Sequence, residues 1–147
     1  MLKICMIIVF TFHTALFSLE VVGNFENVDI EEFETINIPA KIDTGAVFSA
    51  IHCSYIQNIS NEMVEFSPLG STKLFQKKIE NIVTIKSSNG ISEKRFVIKT
   101  IIKLNHTSYP IFFSLTNRDF MEYKVLLGTN FIKNRFLIDV GKQILKD

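Results

Sequence analysis

Six short stretches, "MVEFSP", "IENIVTIKS", "KRFVIKTIIKL", "YPIFFSL", "KVLLG" and "RFLIDV", set the terms for any fold this chain can adopt. Each is rich in β-branched or aromatic residues, and each is bounded by Asn, Gly, Ser or Pro, residues that end strands or turn the chain. Their spacing is that of an all-β barrel or sandwich. Helix is scarce: "NRDFMEYK" and "TNFIKN" have room for one or two turns each, the latter just after Gly128. The chain shows no internal repeat, no low-complexity linker and no glycine-rich phosphate loop. With 147 residues, 47% of them hydrophobic and 14 of them Phe, it has the material for one domain with an ordered core. That composition argues against disorder. The formal net charge is +1, with Lys and Glu mixed along the chain and no basic run interleaved with aromatics. No nucleic-acid partner is expected.

The opening "MLKICMIIVFTFHTALFSLE" is physically unlike the rest. One Lys precedes an uncharged apolar run from Ile4 to Leu19, the length of a signal-peptide core and slightly short for a membrane span. The run is apolar all round and lacks the stripe of an amphipathic helix. Residues 1–19 are therefore expected to be an export signal or, if uncleaved, an N-terminal anchor, with Ala15 and Ser18 the small residues available for cleavage. Residues 20–147 form the domain. Export would make the protein periplasmic or secreted, touching a membrane only through an uncleaved N-terminus. Losing Lys3 leaves 15 basic against 15 acidic residues, and losing Cys5 leaves Cys53 without an internal disulfide partner. Cys53 reads as a small apolar core residue.

Chemistry concentrates in "PAKIDTGAVFSAIHC", residues 39–53. An Asp at the end of an apolar strand is partly desolvated, Gly45 lets the chain turn sharply, and the Thr44 hydroxyl can hold the turn by bonding to backbone. Such a turn presents the Asp43 carboxylate. Taken alone the tripeptide is not specific, because Asp and Gly are common in turns. About 80 residues later comes a second element, "VLLG" at Val125 to Gly128. "IDVGK", Ile138 to Lys142, imitates the Asp-x-Gly spacing, but Val140 has no hydroxyl and little chain remains to support the loop; Asp139 reads as a strand-end acid. His52 and Cys53 are adjacent on a strand and point to opposite faces, so they do not make a nucleophile–base pair or a shared metal site. His13 lies in the signal segment and His106 in a turn near Tyr109-Pro110. Catalytic zinc needs roughly three protein ligands, and there is no HExxH. No metal and no cofactor are expected. Arg95 and Arg118 are isolated charges whose default place is the surface.

The strings "AKIDTGAVFSAIH", "VTIKSSNGISEKRFVI", "SLTNRDFMEYKVLLGTNFI" and "RFLIDV" resemble a retropepsin subunit. More closely, they resemble the bacterial retropepsin-like aspartic endopeptidases, also labelled ATP-dependent zinc proteases. The likeness runs from Val22 to Val140. It implies a mainly β, closed acid-protease barrel with one short helix, a catalytic Asp43, and a loop shaped by Thr44 and Gly45. It also covers Lys41, Ala46, Ser49, Ala50, His52, the turn Ser87-Ser88-Asn89-Gly90, Arg95, Asn117, Arg118, Met121 and Leu127-Gly128. By this resemblance Ala46, Ser88, Asn89 and Gly90 touch substrate, the last three as a mobile flap. The turn chemistry of Asn89-Gly90 suits an ordinary exposed hairpin equally well. A family match at Arg95 and Arg118 opens a second reading for them, pairing with a buried acid. Where many members carry Arg after the Leu-Gly, this chain has Thr129. The "ATP-dependent" label has no phosphate-cradling motif behind it.

An aspartic protease needs two carboxylates that share one proton. One Asp-Thr-Gly per chain implies that a second copy supplies the other acid across a two-fold axis, so a homodimer acting on a peptide or protein is expected. The alternatives are a non-catalytic peptide-binding module on the same barrel, a zinc-dependent peptidase as the older label implies, and a peptidase for acidic or modified tails.

Overall fold

The computed structural model describes residues 19–86 and 90–142. In chain order its strands are β1 (Glu20–Val22), β2 (Phe25–Ile30), β3 (Thr35–Ile42), β4 (Ser49–Ser60), β5 (Met63–Pro68), β6 (Phe75–Lys78), β7 (Asn81–Lys86), β8 (Ser92–Leu104), β9 (Thr107–Thr116), β10 (Val125–Leu127) and β11 (Phe136–Ile138). A 3-10 turn, Glu31–Phe33, follows β2, and α1 (Thr129–Ile132) follows β10. The chain is mainly β and carries one short α-helix among the described residues. The six stretches singled out by composition all contain strands.

Side-chain alternation explains how these strands form a core. Along β8, Ile98, Thr100, Ile102 and Leu104 are buried while Lys99 and Ile101 face solvent. Across the hairpin from them, Ile111, Phe113 and Leu115 of β9 are buried too. Burying each such aliphatic or aromatic side chain contributes about 1.5–3 kcal/mol before entropy is counted. The connecting turn is Asn105-His106, both with positive φ (45° and 67°), the backbone that a two-residue hairpin demands.

Pairing then closes the sheet on itself. The order β10, β3, β2, β8, β9, β4 returns to β10, because β10 lies parallel to β3 on one side and antiparallel to β4 on the other. These six strands form a closed barrel, and closure removes the free edges of an open sheet. Strand β4 leaves the barrel at an irregularity between Cys53 and Tyr55 and continues into a sheet with β5 and β6. The outer half of β8 likewise extends to pair with β7, making a long hairpin. β1 and β11 form a separate parallel pair. Two aromatic clusters tie these parts to the barrel. Phe33 meets Phe66 and Phe75 edge-on at centroid separations of 5.5 and 5.2 Å, and Tyr109 packs on Phe131 and Phe136 at 5.8 and 5.3 Å.

One expectation changes. "TNFIKN" gives the four residues of α1, but "NRDFMEYK" forms a turn-rich loop and no helix. The Lys124 ammonium takes the carbonyls of Arg118 and Asp119, acceptors that a helix would use, at 3.0 and 2.9 Å, while the Arg118 N–H donates to His52 Nδ1 at 2.9 Å and the Asp119 N–H to Asn117 Oδ1 at 2.8 Å. Apart from Leu19, the expected signal or anchor segment lies outside the described residues, as do Ser87, Ser88 and Asn89.

Candidate active site

The loop after β3 is built from both sides. At its start the Asp43 N–H donates to the Leu127 carbonyl at 2.9 Å, extending the β3–β10 ladder by one rung. Asp43 Oδ1 then accepts the Gly45 N–H at 2.9 Å, and the Ala46 N–H returns to the Asp43 carbonyl at 3.3 Å. The carboxylate itself closes the turn. This corrects the role given to Thr44, which is exposed and whose hydroxyl makes no hydrogen bond among the described residues.

Further along, the loop is held from beneath by the start of α1. The carbonyls of Ala46 and Val47 accept the N–H groups of Thr129 and Asn130 at 2.8 and 3.0 Å. Ser49 joins the same brace: its hydroxyl accepts the Gly128 N–H at 3.0 Å and donates to Asn130 Oδ1 at 2.7 Å, and its own N–H also reaches Asn130 Oδ1 at 2.8 Å. Gly128 is required here by proximity. A Cβ on it would lie 2.7 Å from the Phe48 carbonyl carbon and 2.8 Å from the Ala46 oxygen, both backbone atoms that cannot swing away. Thr129, the departure from the family's Arg, serves this brace through its backbone. Asn130 was not legible as a site residue, since nothing in the sequence ties it to Ser49 from 81 residues away.

Asp43 is half-buried in a cleft of about 590 Å³. The floor comes from the loop and from Ala50 and Leu126; Thr84, Ile85, Lys86 and Arg95 of the β7–β8 hairpin and Arg118 and Met121 of the 117–124 loop supply the walls. Among the described residues Asp43 is the sole acid lining it, against three cations, Lys86, Arg95 and Arg118. Arg95 Nε pairs with Glu93 at 2.6 Å. Arg118 is half-buried, its Nε donating to the Tyr123 carbonyl at 3.0 Å, and it forms no ion pair among the described residues. Burial, with Arg95 nearby, lowers the Arg118 pKa, and Asp43 opposes that shift. An Arg remains charged through such a shift, so the cleft keeps its positive field. A second cleft, of about 550 Å³, lies elsewhere and has a different character. Two of its lysines already face its own acids, Lys77 with Glu32 at 2.6 Å and Lys103 with Glu31 at 4.0 Å.

The other sequence-predicted residues separate. Gly45 and Ala46 line the cleft, whereas Gly90, with φ of 84°, is exposed at the hairpin tip and is not among its walls. His52 is buried and does not line the cleft; its Nδ1 accepts the Arg118 N–H. Burial raises the Cys53 thiol to about 12, so it carries negligible thiolate near neutrality. Asp139 is exposed and outside the cleft. Among the described residues, no three His, Cys, Asp or Glu side chains gather as a metal site.

A model of the family described as retropepsin-like aspartic endopeptidase RimB matches residues 21–147. The chain belongs to that family. Within the RimB-like family, the match begins at β1 and takes in the whole barrel and the Asp43 loop. Curated relatives include proteins named probable alpha-L-glutamate ligase. Those of Shewanella pealeana and Desulfotalea psychrophila are each 35% identical, over 73% and 84% of this chain. That of Parasynechococcus marenigrum is 30% identical over 81% of this chain. The chain spans only 26–29% of these relatives' length. Among solved structures, a Legionella pneumophila protein of unknown function superposes with a TM-score of 0.70 at 25% identity, covering 87% of this chain and 98% of that one.

Proposed function

We propose that this RimB-like domain is an aspartic endopeptidase that works as a homodimer, with Asp43 of each copy forming the catalytic pair. The observation that carries this reading is the placement of Asp43, half-buried, braced on both sides and turned into a cleft large enough for a peptide segment. Two such carboxylates about 3 Å apart cannot both ionise, so they hold one proton between them. The ionised one takes a proton from water as it attacks the scissile carbonyl, and the protonated one donates to the carbonyl oxygen. Proton transfer to the amide nitrogen then releases the amine. By family resemblance Ala46 and the Ser88-Asn89-Gly90 turn contact the substrate; by its apolar run, the segment 1–19 directs export or anchors the chain.

The cleft also argues for what is cut. Beside the single acid, Lys86 and Arg118 form no ion pair among the described residues, whereas Arg95 is matched by Glu93; two such cations favour a substrate that brings its own carboxylates, and Arg118 presents a fork suited to them. The names of the relatives agree with this chemistry. A glutamate ligase makes glutamyl products, and a domain like this one inside or beside it would meet them. We therefore place acidic peptides, rich in Glu, as the substrate class.

The test is hydrolysis of a Glu-rich peptide against an isosteric Gln-rich one. The expected result is cleavage of the first, inhibition by a statine-type transition-state analogue, and no effect of a strong chelator. Replacing Arg118 by Ala should raise KM for the acidic peptide about tenfold and leave the neutral peptide nearly unchanged. Binding without turnover at every protein concentration would favour the peptide-binding module. Loss of activity on chelation would favour the zinc label.

A further inference from the structure

Arg118 reaches the cleft from a loop that no strand ladder holds, and its position therefore needs another cause. The loop is fastened at one buried side chain. His52, only 4% exposed, accepts the Arg118 N–H at its Nδ1 (2.9 Å) and faces Asp119 Oδ1 from its Nε2 at 3.3 Å. The backbone of His52 completes the clasp by donating its own N–H to the Lys124 carbonyl at 2.8 Å. Lys124 Nζ closes the loop on itself, donating to the carbonyls of Arg118 and Asp119 at 3.0 and 2.9 Å. The fastened segment thus carries both Arg118 and Met121 into the cleft wall.

We infer that His52 is a positioning residue, which in its neutral form, with the proton on Nε2, holds the 117–124 loop so that Arg118 faces the substrate beside Asp43. An acceptor at Nδ1 cannot also carry a proton. Protonation there would set an N–H against the Arg118 N–H, break the clasp and leave a buried donor unsatisfied. The groups facing the ring are Asp119, Lys124 and Arg118. Burial, joined by the two cations, lowers the His52 pKa from its ordinary 6.5, while Asp119 opposes them. Neutral His52 is therefore the working form near pH 7. Acid below that ordinary value releases the loop. The inference rests on the reading of the cleft as an acidic-peptide site.

Two variants of similar shape isolate the acceptor. His52→Asn places an amide oxygen where Nδ1 lies and cannot titrate, and His52→Leu offers no acceptor. On the Glu-rich peptide, His52→Leu should raise KM about tenfold with kcat little changed, while His52→Asn should stay within about threefold of wild type, because only the former orphans the Arg118 N–H. The rise in wild-type KM at acid pH should exceed that of His52→Asn, in which only the protonation of the peptide's own Glu side chains remains. Equal KM values for the two variants, or an acid rise as large in His52→Asn as in wild type, would overturn the inference. Nitrogen-15 NMR of the wild-type imidazole provides a check independent of variant folding: an Nδ1 that bears the proton at pH 7 also overturns it. If the protein binds the peptide without cleaving it, the endopeptidase reading fails and the same comparison is made on Kd. If it does neither, both readings fall.

Discussion

Asp43 and Asp139 end their strands in the same way. In each, the backbone N–H bonds to a carbonyl of the neighbouring strand, Leu127 at 2.9 Å for Asp43 and Val22 at 2.8 Å for Asp139. In each, Oδ1 accepts the N–H of the glycine two residues on at 2.9 Å, and the carbonyl accepts the N–H three residues on, at 3.3 Å and 3.1 Å. Locally the two turns are nearly copies. Their surroundings are not. The Asp43 turn sits on the barrel, braced by Gly128 and Asn130, and opens into the cationic cleft. The Asp139 turn caps the small β1–β11 pair in solvent, where Lys142 reaches away to the Val21 carbonyl and to Glu26. An Asp-x-Gly turn is thus written by three adjacent residues, whereas a carboxylate able to do chemistry is made by chain far from it.

The sharpest way to break this comparison is to neutralise each acid in turn. Asp43→Asn should lower kcat/KM on the acidic peptide by about 10²–10⁴-fold, the usual range for lost acid–base catalysis, with little change in stability. Asp139→Asn should stay within about twofold, as for exposed groups away from the site. Comparable losses from both would mean that the second acid lies within the chain. Next in size is subunit mixing. A ninefold excess of Asp43→Asn chains should cut the activity of a fixed amount of wild type about tenfold, because nearly every wild-type chain then pairs with an inactive one. The same excess of Asp139→Asn should not poison it. Specific activity that stays flat through a measured monomer–dimer transition would contradict the homodimer.

Smaller and more discriminating is the pair Gly45→Ala and Gly141→Ala. At each glycine a Cβ would lie 3.3 Å from the Oδ1 of its own Asp, so the two turns receive the same insult. Both variants should lose about 1 kcal/mol or less in denaturant unfolding. Only Gly45→Ala should also lose activity, since there the displaced oxygen belongs to the proposed catalytic acid. Equal activity in both would show that the Asp43 carboxylate tolerates displacement.

The legible and illegible parts of this molecule divide along the same line. Strands β5, β7, β8 and β9 could be read because β-branched and aromatic residues run uninterrupted between turn formers. β4 was harder, since after Cys53 it runs through polar, largely exposed residues once it leaves the barrel. The loop at residues 117–124 carries helix-compatible residues, and the distant His52, holding the Arg118 N–H and the Lys124 carbonyl, is the part of its setting that the local sequence does not show. Within the site, Asp43 announces itself in three letters, and Arg95 and Arg118 were visible as residues without a setting. Lys86 had no signal at all. Its role depends on the β7–β8 hairpin arching over a loop that begins at residue 43, and no periodicity encodes that approach.

One consequence of β10 concerns time. This three-residue strand is the wedge that joins β3 to β4, and it is drawn from a position about 80 residues after the turn it completes. Contacts so distant along a chain form late, because a large loop must close before they return any free energy. A chain still emerging, or cut before residue 125, can lay down the β8–β9 hairpin, but its Asp43 turn has no Leu127 carbonyl to hang from and no glycine beneath it. Synthesis itself thereby delays the site: the Asp43 turn is completed only after residue 128 has been made.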